Sequence, residues 1–280
     1  GDPEAWPQAI DAWLAEADDY AWTPGVLGAS EEAAIIYKRA GLDSLEMGDE
    51  AILDLDEFSL EGRSMRVVRQ AVNRVKRAGY TIDVRRQSEL STEELVEVIV
   101  TADALREEDV ERGFSMALGR IGDSRDPDMM IARVRDEGGR LVAVLGFVPW
   151  GTDGLSLDLM RRAKDTENGT VEFAVIGVVE AVRCLGVRRI SLNFAVFRSV
   201  FERGSRVGAG PVLRMWHRLL LIASKWWQIE SLYRANVKYN PEWVPRFVCF
   251  RKATELPRVV VAGAEAEAFI ARPRLRWLAP

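Results

Sequence analysis

Hydrophobic and polar positions along the chain alternate between a helical period and a strand period, the pattern of a mixed α/β protein. Residues 3–17 carry the helical period, and a strand is expected near residues 33–38. A turn signal at Gly41, Leu42 and Asp43 leads into the alternating run Ala51-Ile52-Leu53-Asp54-Leu55. Ser59 is expected to open a helix reaching Ala78, with Gly79 as its stop. Residues 81–85 alternate as a strand. Ser91-Thr92-Glu93-Glu94 then starts a helix toward Leu105, with acids in its first turn.

The rhythm restarts further on. Strands are expected at 129–134 and 141–148, joined through the hairpin turn Asp136-Glu137-Gly138-Gly139. Residues 155–159 alternate, 169–185 form a buried helix ended by Gly186, and 189–194 form a strand. A helix over 211–227 has proline at its start, and 244–250 is the last strand. Antiparallel strands followed by a helix and a crossing strand predict a mixed sheet of acyltransferase type. The expected division is a first lobe over residues 1–90, a second over 91–255 that carries the catalysis, and a tail or linker over 256–280. The similar order suggests duplication, although no sequence repeat is visible.

At 280 residues the chain is long enough for two lobes or one large domain. A hydrophobic share of 48% with 29% charged residues excludes a disordered or collagenous chain. No apolar run approaches the roughly 18 residues that a membrane span needs. The start, Gly-Asp-Pro-Glu-Ala-Trp, has neither a basic nor an apolar signal-peptide region. Cys184 and Cys249 are far apart with no CxxC, which points to a reducing compartment and away from zinc. One histidine, His217, is present, so a His-rich metal site is impossible and any Ser-His-Asp apparatus would have to use it. Its setting, between long residues of a helical run, reads as an ordinary helix position, leaving acid–base work to carboxylates, lysine or the substrate.

Charge is distributed unevenly. Residues 1–57 hold 15 acidic and 2 basic groups, whereas residues 161–252 hold 17 basic and 7 acidic. A basic rear suits a polyanion such as nucleic acid or phospholipid headgroups; internal pairing between the lobes is the plainer alternative. On the expected helix 59–78, Arg63, Arg66, Gln70, Arg74 and Arg77 share one sector, and Met65, Val67, Val68, Ala71, Val72 and Val75 the other. That arginine stripe fits phosphates of RNA or a lipid surface, or is simply a solvated face.

The densest candidate chemistry lies at Leu155-Ser156-Leu157-Asp158-Leu159-Met160-Arg161-Arg162. Alternation puts the three leucines on one face and Asp158 on the other, with Arg161 just beyond the strand end. Glu172 sits in the first turn of the next helix, where it can bind a cation, act as a base, or only stabilise the helix start. Arg203-Gly204-Ser205-Arg206-Val207-Gly208-Ala209-Gly210-Pro211 could present amides to phosphate, but lacks Walker and Rossmann patterns and also fits a flexible connector. Near the end, Pro241 and Pro245 with three aromatics pin a rigid turn bearing Lys238 and Arg246, two cations suited to phosphate, or else a solvated lysine and a structural arginine.

The strings Leu157-Asp158-Leu159-Met160-Arg161, Asn168-Gly169 and Lys238-Tyr239-Asn240-Pro241-Glu242-Trp243-Val244-Pro245-Arg246-Phe247 resemble the soluble catalytic region of bacterial aminoacyl-phosphatidylglycerol synthases. So do the run from Asp54 to Arg63, the run Arg69-Gln70-Ala71-Val72-Asn73-Arg74, and Glu111-Arg112-Gly113-Phe114-Ser115-Met116. The resemblance covers about residues 41–250. Phe147-Val148-Pro149-Trp150-Gly151 and Ser191-Leu192-Asn193-Phe194-Ala195 are similar to the branch fused to a lysyl-tRNA synthetase.

The resemblance implies tandem acetyltransferase-like (GNAT) folds and transfer of an amino acid, lysine in this branch, from aminoacyl-tRNA to the glycerol hydroxyl of phosphatidylglycerol. It implies a chain working at the cytoplasmic face of the membrane, excised from transmembrane and synthetase regions. By the same resemblance Asp158 and Arg161 lie at the reaction centre, and Lys238 and Arg246 grip the lipid phosphate or terminal adenosine. Glu172 would take the lysine ammonium, and Arg63, Arg66, Arg74 and Arg77 the tRNA acceptor stem. Trp216, Trp226 and Trp227 could admit acyl chains or pack in the core. Transesterification starts from an activated ester, so neither metal nor cofactor is called for. Gly208-Ala209-Gly210 faintly resembles an acetyl-coenzyme A loop, but Ser205 stands where arginine or glutamine is expected, which argues against coenzyme A. A coenzyme-A-dependent acyltransferase, a peptidoglycan-type aminoacyltransferase and a non-catalytic module binding anionic membranes are the competing classes.

Overall fold

The computed structural model describes residues 2–106, 120–196 and 235–267. In chain order the main elements are α1 (Trp6–Asp19), β1 (Gly25–Ala29), α2 (Glu31–Arg39), β2 (Asp43–Asp54), α3 (Arg66–Arg77), β3 (Thr81–Arg86) and α4 (Thr92–Ala104). They continue with β4 (Met130–Arg135), β5 (Leu141–Trp150), β6 (Gly154–Arg162), α5 (Thr170–Val182), β7 (Arg189–Val196), β8 (Glu242–Phe250) and α6 (Leu256–Ala266). The expected loop Arg203–Pro211, the helix over 211–227 with His217 and its tryptophans, and the run 111–116 fall outside the described residues.

The strands form one mixed sheet in the order β1-β8-β2-β7-β6-β5-β4-β3, antiparallel throughout except for the parallel pair β6 and β7. This is the α/β class the hydrophobic pattern predicts. The expected boundary at residue 90 does not separate two sheets. β2 lies between β7 and β8, and β3 is bonded to β4, so strands from both sides of that boundary share one hydrogen-bonded layer.

Helices cover both faces. On one face α3 and α5 bury Val68, Val72, Val75, Phe173, Ile176 and Val179 against Leu53, Leu145, Phe147, Leu155 and Ile190. α1 and α2 pack beside them over Ala29 and Cys249, through Ile10, Leu14 and Ala34. The close approach of α3 to α5 requires glycine at position 169, whose φ is +106° and whose missing Cβ would lie 2.8 Å from that of Ala71. On the opposite face α4 packs Val98 on Ile131 and Val144.

Three expectations change. Residues 33–38 are helical, because Ser30 caps α2 by accepting from the Ala33 amide at 3.2 Å, with Glu31 and Glu32 in the first turn and Lys38 and Arg39 in the last. The helix expected from Ser59 begins only at Arg66: Gly62 adopts a φ of +85°, and the Arg69 side chain reaches back to the Leu60 and Gly62 carbonyls. Arg63 therefore lies in the preceding turn, and Val67 is solvent-exposed rather than apolar core. The expected tail is helical over its first part. α6 buries Leu256 and crosses β1 so closely that a Cβ on Gly25 would lie 2.5 Å from Val259.

Candidate active site

The parallel pair at the centre of the sheet comes apart. β6 and β7 are in register at only three positions, Gly154 with Arg189, Leu155 with Ile190 and Ser156 with Ser191, although both strands continue well beyond. Just past the last rung, Asn193 adopts a left-handed backbone (φ +71°) and its side-chain amide donates to the Leu157 carbonyl. A side chain thus bridges the strands where the ladder stops.

Asp158 lies at this point. The β5–β6 register passes from Leu159 opposite Gly146 to Leu157 opposite Phe147, making Asp158 the extra residue of a β-bulge. The bulge breaks the expected alternation: Leu155 and Leu157 pack with α3 and α5, while Leu159 packs on the α4 side. Asp158 is buried, and Arg161, three residues on and still within β6, is half-buried.

Glu172 and Lys238 come together. Glu172 opens α5, and the Lys238 ammonium donates to its carboxylate at 2.5 Å, both side chains about one-fifth exposed. The turn carrying Lys238 is held by the Asn236 side chain, which donates to the Leu192 carbonyl of β7 at 3.4 Å, and by Asn240 in the left-handed region. The same ammonium stands 5.3 Å from the Tyr239 ring centroid. The Glu172 carboxylate therefore holds an alkylammonium from within the chain.

Arg246 is not brought to Lys238. Tyr239 and Trp243 pack in the α3/α5 core, and alternation along β8 turns Arg246 to the opposite face. There its Nε donates to the Glu50 carboxylate at 2.7 Å, and the Ser191 hydroxyl donates to the other Glu50 oxygen. This row crosses three neighbouring strands, with Ser191 fully buried and Glu50 and Arg246 each 13% exposed. Sequence reasoning missed Glu50, Ser191 and Asn193. A glutamate between Asp49 and the apolar run Ala51-Ile52-Leu53 is a signal for the first; nothing local marks its partners.

Arg63, Arg66, Arg74 and Arg77 are all exposed, the last three along α3. Arg74 also donates to the Asn168 carbonyl at 3.3 Å, and Arg77 to that of Asn73 at 3.1 Å. Among the described residues no group of three or more His, Cys, Asp or Glu could hold a metal ion. No helix among them is long and apolar enough to cross a membrane.

The family model for the C-terminal region of phosphatidylglycerol lysyltransferase matches residues 1–250. Two curated relatives, each named lysylphosphatidylglycerol biosynthesis bifunctional protein LysX, come from Mycobacterium avium (strain 104) and Rhodococcus jostii (strain RHA1). Each is 54% identical across 98% of the chain, and the chain spans 23% of the first and 25% of the second. It thus spans about a quarter of the length of those relatives. The solved structure of L-PGS from Bacillus licheniformis superposes with a TM-score of 0.81 at 23% identity, covering 97% of this chain and 81% of that one, and shares the fold.

Proposed function

Because the chain belongs to the phosphatidylglycerol lysyltransferase C-terminal family, we propose that it transfers lysine from aminoacyl-tRNA to the glycerol hydroxyl of phosphatidylglycerol at the cytoplasmic membrane face. The observation that carries this reading is 54% identity along nearly the whole chain to proteins named for lysylphosphatidylglycerol biosynthesis. The acceptor hydroxyl attacks the ester carbonyl carbon, the bond to the ribose oxygen breaks, and the hydroxyl proton ends on that oxygen. One ester replaces another, so the work is to orient two anionic substrates and stabilise the charge that builds on the carbonyl oxygen.

In this reading the parting of β6 and β7 receives the reacting ester, with Asp158 and Arg161 at its edge. Glu172 exchanges the Lys238 ammonium for that of the substrate, which frees Lys238 for a phosphate oxygen. Arg246 is the second phosphate cation, approached from the other face, and Arg63, Arg66, Arg74 and Arg77 meet the acceptor stem. The remaining regions of the longer relatives are the partners within one polypeptide.

The test is an acceptor panel. The chain is incubated with lysyl-tRNA and phosphatidylglycerol liposomes, with lysyl-tRNA and a peptidoglycan-precursor amine, or with acetyl-coenzyme A and an amine, and products are identified by mass. Lysyl-phosphatidylglycerol from the first mixture alone is expected; an amide or acetyl product instead would overturn the reading.

A further inference from the structure

Tyr239 is buried to 2% exposure in the α3/α5 core, and its hydroxyl oxygen has no hydrogen-bond partner among the described residues. A buried hydroxyl left unsatisfied is costly, and phenylalanine would fill the same space without that cost. Nothing among the described residues accounts for the hydroxyl.

Its position suggests one. Tyr239 follows Lys238, whose ammonium bonds the Glu172 carboxylate and stands 5.3 Å from the Tyr239 ring centroid. The Tyr239 amide donates to the Asn236 carbonyl at 3.0 Å, and the Asn236 side chain ties that turn to Leu192 on β7, one residue before the Asn193 that bridges to β6. The unused donor thus belongs to the turn that fastens the charged pair to the parted strands.

We propose that Tyr239 is a further catalytic residue, whose hydroxyl donates a hydrogen bond to the ester carbonyl oxygen of the bound aminoacyl group as charge builds there. The proposal rests on the functional reading above. Exchange of the Glu172–Lys238 pair for substrate contacts admits the ester to the hydroxyl, and no proton leaves the phenol. Burial, with the nearby Glu172 charge adding to it, pushes the Tyr239 pKa well up, so the phenol stays a donor at neutral pH.

The experiment compares Tyr239→Phe with the unaltered chain in lysine transfer to phosphatidylglycerol and in thermal unfolding. A fall in kcat on the order of 100-fold is expected, the effect of losing one oxyanion donor, with KM for both substrates within about twofold. The unfolding temperature should be unchanged or higher, because the substitution removes a buried polar group with no partner among the described residues. An unchanged kcat overturns the proposal, and so does a lower unfolding temperature, which would assign the hydroxyl to the fold. Failure of the unaltered chain to make lysyl-phosphatidylglycerol overturns the functional reading itself.

Discussion

Lys238 reaches across 66 positions of sequence to place its ammonium 2.5 Å from the Glu172 carboxylate. The family resemblance gives Glu172 to the lysine ammonium and Lys238 to the lipid phosphate or the terminal adenosine, yet the two side chains hold each other. In the function proposed above, each substrate would compete with an internal partner, and binding of either would release the group that serves the other.

Lys238→Ala is expected to weaken binding of phosphatidylglycerol vesicles by about 1.5 to 3 kcal/mol, the range for a charge-assisted hydrogen bond. Glu172→Gln should instead raise KM for lysyl-tRNA and leave vesicle affinity equal or tighter, since Lys238 is then unrestrained. Vesicle sedimentation together with steady-state kinetics separates the two. Loss of vesicle binding in both variants would mean the pair only supports the fold.

Arg246 has a structural debt to Glu50 as well as a proposed phosphate. Arg246→Ala leaves a mostly buried carboxylate without its cation, and stability should fall by about 3 kcal/mol in urea unfolding. Adding Glu50→Gln should recover part of that loss. If the two substitutions are simply additive, the pair is not coupled.

The guanidinium of Arg133, almost fully buried on β4, meets Asp83 of β3 and Glu94 of α4. Hydrogen bonds from Arg85, from the Ser91 amide and from Arg133 lower the Glu94 pKa from 4.5 to about 2. A carboxylate depressed in the folded state contributes stability that is fully present above its unfolded value and lost as pH falls through the folded one. The unfolding temperature should therefore drop between about pH 4.5 and pH 2. In Glu94→Gln it should start lower at pH 7 and fall less in that window; parallel curves would contradict this assignment.

Changing Arg63, Arg66, Arg74 and Arg77 to glutamine should weaken tRNA binding and flatten its salt dependence together. Every arginine–phosphate pairing removed lowers the slope of log affinity against log salt by a little under one unit. Anionic liposome binding should change much less. A larger loss for liposomes than for tRNA would turn this face toward the membrane.

Elements with a clean period were legible in the sequence: β3, β4, β5, α4 and α5 fall close to where alternation, acidic helix starts and stopping glycines put them. α2 was not, because the apolar cluster Ile35-Ile36-Tyr37 suits a strand, while a serine cap and complementary end charges decide for a helix. The face of Leu159 was also illegible, since one extra residue at Asp158 reverses every side chain after it. At the site, residue types could be read but pairings could not. Glu50 and Arg246 are 196 positions apart, and only the order of β2 between β7 and β8 brings them into one row with Ser191.

In the proposed function, lysine transfer takes place where β6 and β7 part, at Asp158. It is tested most directly by following labelled lysine from lysyl-tRNA into phosphatidylglycerol for the unaltered chain and for Asp158→Asn, which removes a charge with little change in volume. The expected result is rapid formation of lysyl-phosphatidylglycerol by the first. The second should turn over at least about 100-fold more slowly, with the same unfolding temperature. Near-equal rates would contradict that placement, and so would an Asp158→Asn chain that is inactive only because it has unfolded.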